Sequence, residues 1–394
     1  MRSSRPTTSK PAAGPLFGDQ ITVEHFLREY WQKKPLLVRQ AFPNVASPLT
    51  ADELAGLACE QEANARIVIE RLGEQHWVVL HGPLQENDFD ELPSKNWTLL
   101  VTDVEKHVPK ARQLIDAFRF IPDWRIDDLM VSFAPEGGSV GPHTDAYDVF
   151  LIQTQGQRRW MINADYDGAC LEGTELRILE RFVPAKEWVL EPGDMLYLPP
   201  NIAHHGVALN NCMTCSVGFR APSLRTMLSE YAEFIASGID RDLRYQDPDL
   251  QMQTNPAEIS TDAVSRIKAM LATQLTFDDR SLMRWLGEFS SEPRSCLHSH
   301  QTETQYATYR DFVAALPADT NIAQSPASKF LFGQHDDAAL LFVDGNSYTT
   351  SLEFAHLLTD CRQIPAQRLL ASIKNKADQQ TLLTLFNTGC LLLQ

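Results

Sequence analysis

The sequence predicts a mainly β fold with added helices: a barrel or double-sheet jelly roll, then a helical segment, then a small mixed module. Three observations predict it. Between Arg66 and Arg220 short apolar or alternating segments recur, separated by clusters of Gly, Pro, Asn and Asp, the pattern of many short strands joined by turns. From Ser223 the apolar period changes from two to about 3.6. In the last stretch, helical stripes flank an Asp-Gly hairpin.

Thr22 caps a helix with Val23, Phe26, Leu27, Tyr30 and Trp31 on one face, and Pro35 ends it. Leu36 to Arg39 reads as a strand and Ala51 to Glu62 as a short helix. The strands expected next are Arg66–Glu70, Trp77–Leu80, Trp97–Val101, Ile126–Ala134, Val149–Gln153, Arg159–Ile162, Trp188–Leu190, Met195–Leu198, Val207–Leu209 and Cys215–Arg220. Three helical stripes follow: Met227, Leu228, Tyr231, Phe234 and Ile235; Ala263, Val264, Ile267 and Leu271; Leu282, Met283, Trp285 and Leu286. Such a segment suits a linker bundle or dimer interface, or packing against the barrel of its own chain. Helices at Tyr309–Leu316, Ser351–Leu358 and Gln379–Phe386 around a hairpin at Leu340–Tyr348 suggest a winged-helix-like module. Without a basic recognition helix, a protein-contact or capping role is expected for it. The organisation expected is a flexible extension over 1–20, a jelly-roll β domain over 21–222, a helical dimerisation segment over 223–300, and the winged-helix-like domain over 301–394.

Composition narrows the partners. With 394 residues, 43% hydrophobic and 22% charged, the chain buries a sizeable core, which excludes general disorder and collagen-like repeats. Asp and Glu number 51 against 35 Lys and Arg, so the net charge of -16 disfavours direct nucleic-acid binding and fits a basic protein partner. Seven scattered cysteines read as reduced intracellular thiols, and Cys212-x-x-Cys215 lacks the second pair that zinc needs. No apolar run approaches the roughly 20 residues of a membrane span, and the Ser/Thr/Pro-rich start has no apolar signal core. A soluble, cytoplasmic protein is expected.

The chemistry concentrates in Gly141-Pro142-His143-Thr144-Asp145-Ala146-Tyr147-Asp148. His143 and Asp145 are two apart, so on a strand they share a face. An imidazole and a carboxylate at that spacing, with one distant His, form a two-His-one-carboxylate facial triad, which holds Fe(II) and leaves positions open. The third ligand comes from Pro199-Pro200-Asn201-Ile202-Ala203-His204-His205, where periodicity does not choose between His204 and His205. Asp148 points away from Asp145 and is not expected as a ligand, and His298-x-His300 reads as a solvated loop.

Trp31-Gln32-Lys33-Lys34-Pro35-Leu36, the His143/Asp145 pair, Gly193-Asp194-x-Leu196-Tyr197-x-Pro199-Pro200 with His204, and Ser216-Val217-Gly218-Phe219-Arg220 resemble the JmjC-type, cupin-like 2-oxoglutarate oxygenases. Within these the chain is most similar to the bacterial ribosomal oxygenases, which hydroxylate an arginine of the sixteenth large-subunit ribosomal protein. The resemblance covers about residues 21–290 in order and the C-terminal module more loosely. It implies a double-stranded β-helix (jelly-roll, cupin) core, and it favours His204 over His205 as the ligand beside His143 and Asp145. It further implies Fe(II), with 2-oxoglutarate and O2 as cosubstrates.

The family's cosubstrate arginine falls on Arg158, in Gln157-Arg158-Arg159-Trp160, and its hydroxyl partner on Ser132. An Arg fork matches a carboxylate, whereas two strand-end charges in the open would need no such role. Strand alternation adds substrate contacts. Asp128 shares a face with Ser132 and would receive a guanidinium, Tyr147 would stack on it, and Ser216 would add a hydrogen bond. The implied activity is hydroxylation at arginine Cβ in a basic ribosomal protein, by a homodimer. Two alternatives stay open: N-methyl-lysine demethylation by the same centre, and a non-enzymatic metal-holding scaffold.

Overall fold

The computed structural model describes residues 16–18, 21–71, 77–240, 243–275, 277–293, 304–317, 319–335 and 338–394. Most of the expected N-terminal extension, together with His76, Cys296 and His298-x-His300, lies outside the described residues. The chain divides into two compact units, the first running to Ala221 and the second from Pro222 onward.

In the first unit the described strands are β1 (Leu36–Val38), β2 (Asn64–Glu70), β3 (Trp77–His81), β4 (Trp97–Thr102), β5 (Ile126–Ala134), β6 (Val149–Gln155), β7 (Arg158–Asn163), β8 (Lys186–Leu190), β9 (Met195–Leu198), β10 (Ala203–Ala208) and β11 (Cys212–Phe219). Each lies on an expected segment, although β10 starts at Ala203 and so carries both histidines. They form an eight-stranded sheet ordered β1-β9-β6-β11-β5-β4-β2-β3 and a three-stranded sheet ordered β10-β7-β8. All these pairings are antiparallel.

Alternation along each strand sorts the side chains into two cores. Val149, Leu151, Leu196 and Leu198 of the large sheet pack with Trp160, Ile162 and Leu190 of the small one. The opposite face carries Leu129, Val131, Ile152, Cys215 and Val217 into a larger core with Phe26, Phe118 and Phe150. Cys212 and Cys215 both stay free, and they belong to different buried clusters, as incidental thiols would.

Two helices were anticipated here. The first, α1 (Val23–Glu29), is capped by Thr22, whose hydroxyl accepts the His25 N–H at 3.1 Å. The second, α2 (Ala51–Ala58), has a reciprocal Thr50/Glu53 cap. Three more, α3 (Glu86–Asp90), α4 (Val104–His107) and α5 (Arg112–Asp116), are too short for apolar periodicity to register.

Three sequence motifs meet at Asp148, which is fully buried. Its carboxylate accepts from the Tyr197 hydroxyl at 2.6 Å and the Gln32 side-chain amide at 2.9 Å, and it faces Arg125 at 3.4 Å. The Gln32 N–H donates in turn to the Tyr197 oxygen at 2.8 Å. The Asp148 carbonyl accepts from Phe219. The Trp31–Pro35, Gly193–Pro200 and Ser216–Arg220 segments are thereby tied together. Asp194 does the same at the next turn, accepting the N–H groups of Gln40 and Glu191 at 3.0 Å each while Gly193 takes a φ of +98°.

The second unit contains α6 (Leu224–Ser237), α7 (Thr261–Gln274) and α8 (Asp279–Ser291), capped by Ser223, Ser260 and Asp278. All three follow the expected stripes. No α7 residue is buried: Val264, Ile267 and Leu271 are 54%, 48% and 56% exposed. Then come α9 (Tyr309–Ala315), β12 (Asn321–Gln324), β13 (Phe330–His335), β14 (Ala338–Val343), β15 (Asn346–Ser351), α10 (Leu352–Asp360), β16 (Gln363–Pro365), α11 (Ala366–Ser372), α12 (Lys376–Asn387) and β17 (Leu391–Leu393). Asp344 and Gly345 make the expected hairpin turn with φ of 48° and 78°. The hairpin is part of a three-stranded sheet with β13, and a second small sheet, β16-β12-β17, was not anticipated. Strands of three or four residues leave almost no alternation to read. No helix among the described residues is long and apolar enough to cross a membrane.

Removing the Asp148 carboxylate would leave the buried Tyr197 hydroxyl and the mostly buried Arg125 guanidinium without that acceptor. Asp148→Ala is expected to lower stability by about 2–4 kcal/mol, since each stranded buried donor costs roughly 1–3 kcal/mol. Urea unfolding followed by tryptophan fluorescence checks this; an unchanged midpoint would refute it.

Candidate active site

Gly141 takes a φ of +79°, and a side chain there would meet Ile178 at 3.0 Å. Pro142 has no N–H to donate. The 141–148 segment therefore forms no strand, contrary to the expectation that His143 and Asp145 share a strand face. One isolated antiparallel bridge does the work instead. The His143 N–H donates to the His204 carbonyl at 3.0 Å and the His204 N–H to the His143 carbonyl at 2.9 Å. Asp145 follows in a loop pinned by its carbonyl, which accepts the Asn201 N–H at 2.8 Å. Asn201 turns the chain there with a φ of +61°. The imidazoles stand 4.2 Å apart by ring centre, and His204 Nε2 lies 3.6 Å from Asp145 Oδ2. One donor atom from each of His143, Asp145 and His204 lies within 4.8 Å of the others.

Strand alternation separates the two adjacent histidines. His204 is 3% exposed and turned into this cluster. His205 faces away, its Nε2 3.0 Å from Ser139 Oγ and its ring edge-on to Phe182. In both His143 and His204, Nδ1 lies 2.9 Å from a carbonyl, of Gly141 and Ile202 respectively. A carbonyl only accepts, so Nδ1 carries the hydrogen and Nε2 keeps its lone pair. Burial, and then the charge of His143, push the His204 pKa down to about 4, which keeps that ring neutral at physiological pH. Two imidazoles and a carboxylate converging on one point fit a divalent metal with positions left open.

Arg158 and Arg159 separate in the same way: Arg158 is 5% exposed and Arg159 is exposed. The Arg158 guanidinium lies over the Trp160 ring at 5.7 Å, and its Nε and Nη2 are buried without a hydrogen-bond partner. Trp160 Nε1 is also unpartnered. A buried guanidinium with unsatisfied N–H groups calls for an anion. Ser132, on the large sheet, is 3% exposed, its hydroxyl 3.4 Å from the Thr214 carbonyl.

Asp128, Met130 and Ser132 alternate onto one face of β5, and Ser216 pairs with Met130 from β11. Burial, and next the charge of Glu105, hold the Asp128 carboxyl well above the usual range. Tyr147 is 43% exposed. Burial, and next the charge of Asp145, raise its hydroxyl above the usual tyrosine value, and Asp128 adds to the effect. A side chain at Gly218 would meet Asp128 Oδ1 at 3.0 Å and Tyr147 Cε2 at 3.9 Å. Glycine at 218 thus keeps a gap open beside the carboxylate and the phenol ring.

Sequence reasoning missed Gly218, Glu105 and Arg66. Arg66 sits opposite Leu100, which sits opposite Ser132, so it belongs to the same cross-strand row. Its Nε is buried and unpartnered. The available signal was an arginine interrupting the apolar residues of β2.

Comparison with known proteins places the chain in a family. A model of the JmjC domain matches residues 113–227, and one of the ROXA-like winged helix matches residues 273–391. The ribosomal protein uL16 3-hydroxylase of Escherichia coli strain K12 is 40% identical over 287 residues, spanning 71% of this chain and 74% of that protein. A probable ribosomal oxygenase of Haemophilus influenzae is 41% identical over 238 residues, 59% of this chain and 56% of its own length. A crystal structure of Escherichia coli YcfD superposes with a TM-score of 0.82 at 32% identity, covering 95% of this chain and 99% of that one. A second YcfD structure, a ribosomal oxygenase in complex with cobalt and 2-oxoglutarate, superposes at 0.78 and 32% identity, with coverage of 95% and 99%. Jelly-roll core, winged-helix module and full-length similarity coincide, and the chain belongs to the JmjC-domain oxygenases, in the group of the bacterial ribosomal oxygenases.

Proposed function

We propose that this protein is an Fe(II)- and 2-oxoglutarate-dependent hydroxylase that oxidises an arginine side chain, at Cβ, of a large-subunit ribosomal protein. The observation that carries this reading is the convergence of His143, Asp145 and His204 in the fold that also buries the unpartnered Arg158 guanidinium. His143, Asp145 and His204 would hold the metal through two Nε2 atoms and a carboxylate oxygen. When bound, Fe(II) supplies O2 activation, with 2-oxoglutarate leaving as succinate and carbon dioxide while a substrate C–H becomes C–OH.

The chain's own residues do the rest. The carbonyls of Gly141 and Ile202 fix the tautomers of the two imidazoles. Arg158 holds the far carboxylate of 2-oxoglutarate through its free N–H groups, and Ser132 adds an O–H. Asp128 receives the substrate guanidinium, Tyr147 packs on its flat face and Ser216 hydrogen-bonds to the substrate. The substrate's own basic character suits a chain of net charge -16. The half-exposed apolar stripe of α7 supports a homodimer, in which a second copy would cover Val264, Ile267 and Leu271. A ribosomal substrate and the reduced cysteines support a cytoplasmic location.

The deciding experiment incubates ribosomal proteins from cells lacking the enzyme with the chain, Fe(II), 2-oxoglutarate and O2, beside an Asp145→Ala control, and reads them by mass spectrometry. One added oxygen on an arginine of a single protein, absent from the control, is expected. Formaldehyde release with loss of a methyl group would identify a demethylase instead, and no 2-oxoglutarate consumption would leave a scaffold. Arg158→Ala is expected to raise the KM for 2-oxoglutarate about 10- to 100-fold, the factor for one hydrogen-bonded charge contact of roughly 1.5–3 kcal/mol. Steady-state kinetics with varied 2-oxoglutarate measures it. In a metal titration with Mn(II) followed by electron paramagnetic resonance, His204→Ala should lose the bound metal and His205→Ala should keep it. The reverse order would make His205 the ligand.

A further inference from the structure

β4 stops pairing with β5 short of Asp128. Asp103 takes a left-handed φ of 59° directly after Thr102 and turns the chain into α4. The ladder between β4 and β5 joins Leu99 to Phe133, Leu100 to Ser132 and Val101 to Val131, and it extends to no earlier residue of β5. In a strand, residues two apart point their backbone groups the same way, so the Leu129 N–H lies one repeat past the end of β4. Glu105, the second residue of α4, occupies that place. Its Oε2 accepts the Leu129 N–H at 3.0 Å, and the residue is only 6% exposed. Leu129 directly follows Asp128, whose side chain lies on the Ser132 face of β5.

From this geometry, and resting on the arginine hydroxylase reading above, we infer that Glu105 is a positioning residue for Asp128. Its buried carboxylate fixes the backbone that carries Asp128 and sets a second negative charge behind it, which fits the slot to a cationic side chain. A purely structural acceptor for one N–H would not need a charge, and a buried carboxylate is a costly choice unless a cation arrives to offset it. The electrostatics agree with the geometry. Glu105 is the largest charge contribution raising the Asp128 carboxyl, followed by Asp127 and Asp103, with Lys106 opposing. Asp103 and Lys106 are ion-paired at 2.5 Å, Arg220 holds Asp127 at 2.8 Å, and Lys110 of the following turn is exposed. Burial and then Asp103 push the Glu105 carboxyl up to about 7. As pH falls below that value Glu105 gains a proton, the slot loses a negative charge, and cation binding weakens.

The test uses the full chain loaded with Mn(II) and 2-oxoglutarate, so that no turnover occurs. It measures binding of a labelled arginine peptide from the ribosomal substrate and of the same peptide with citrulline, a neutral isostere, in that position. Glu105→Gln keeps the acceptor oxygen and removes the charge. It should raise the Kd for the arginine peptide about tenfold, a loss of about 1.4 kcal/mol, and leave the citrulline peptide unchanged. The unaltered chain should bind the arginine peptide more weakly as pH drops through about 7, and the Gln variant should show a shallower dependence. Glu105→Ala should weaken both peptides, and Glu105→Gln should rescue the citrulline peptide only. Equal weakening of both peptides in Glu105→Gln, or unchanged binding of the arginine peptide, would overturn the inference. So would an unaltered chain that prefers citrulline or binds neither peptide. Binding as expected without any hydroxylation by the unaltered chain would overturn the arginine hydroxylase reading and leave the role of Glu105 standing.

Discussion

The site depends on two backbone hydrogen bonds, the reciprocal pair between His143 and His204. The first histidine lies in a loop after β5 and the second in a strand of the small sheet, far apart in the chain. Nothing else described joins their backbones directly. β10 is paired with β7 along its whole length, with His204 opposite Ile162. That register decides which histidine faces inward, because a slip of one residue would turn His205 into the cluster and His204 out of it. The bridge then brings His143 to His204 whatever the loop does elsewhere. The Asn201-to-Asp145 bond fixes the carboxylate in the same way. Three donors are thus placed by backbone hydrogen bonds and not by side-chain packing alone.

Asp148 plays the corresponding part for the fold. It is three residues from Asp145, yet it points into the opposite core, where Tyr197, Gln32 and Arg125 surround it. Burial raises its carboxyl above the usual value, while the Tyr197 and Gln32 donors pull it back, so the ion is held by hydrogen bonds that arrive from separate segments. Each donor comes from a segment that a sequence reader would notice for another reason. The Gln32 motif has no atom in the donor cluster, and its work is to close the carboxylate that anchors the start of β6.

How much of this was legible in the sequence follows from the physics of each signal. The strands of the first unit were legible because turn residues bound each apolar or alternating run: β7 alternates, whereas β6, β9 and β11 are buried on both faces and read as near-continuous apolar runs. β10 was read short because its first residues, Ala203 to Gly206, are not an apolar run, and so the sequence left His204 and His205 equivalent. The helices α3, α4 and α5 escaped because four or five residues make barely one turn. His143, Asp145 and His204 were legible from spacing together with resemblance, but the mechanism of their placement was not. A strand was expected where Gly141 and Pro142 permit only a bridge. Glu105 and Gly218 were invisible because their meaning comes from where β4 stops and how closely β11 passes Tyr147, both tertiary facts. Arg158 could be told from Arg159 only by alternation, which needs the start of β7 to be known to the residue.

The proposed ligands carry opposite charges, and the slot sorts them by position. On the proposed reading 2-oxoglutarate, a dianion, would meet Arg158 and Ser132, whereas an arginine side chain, a cation, would meet Asp128 with Glu105 behind it. Asp128 and Ser132 are four residues apart on one strand, about 13 Å at the ordinary rise. At an effective dielectric of about 20, unit charges that far apart interact by roughly 1.3 kcal/mol. Across that span a charge at one end therefore disfavours a like-charged ligand at the other by a factor near ten, while the ligand at its own end, at contact distance, is attracted more strongly. The product of the two terms separates the right arrangement from the exchanged one. Contact hydrogen bonds then add to a choice that the charges have already made. On the same reading a second buried carboxylate at 105 would offset its desolvation by strengthening the acidic end, where a guanidinium must outcompete water, away from the basic end, where a dicarboxylate must still bind.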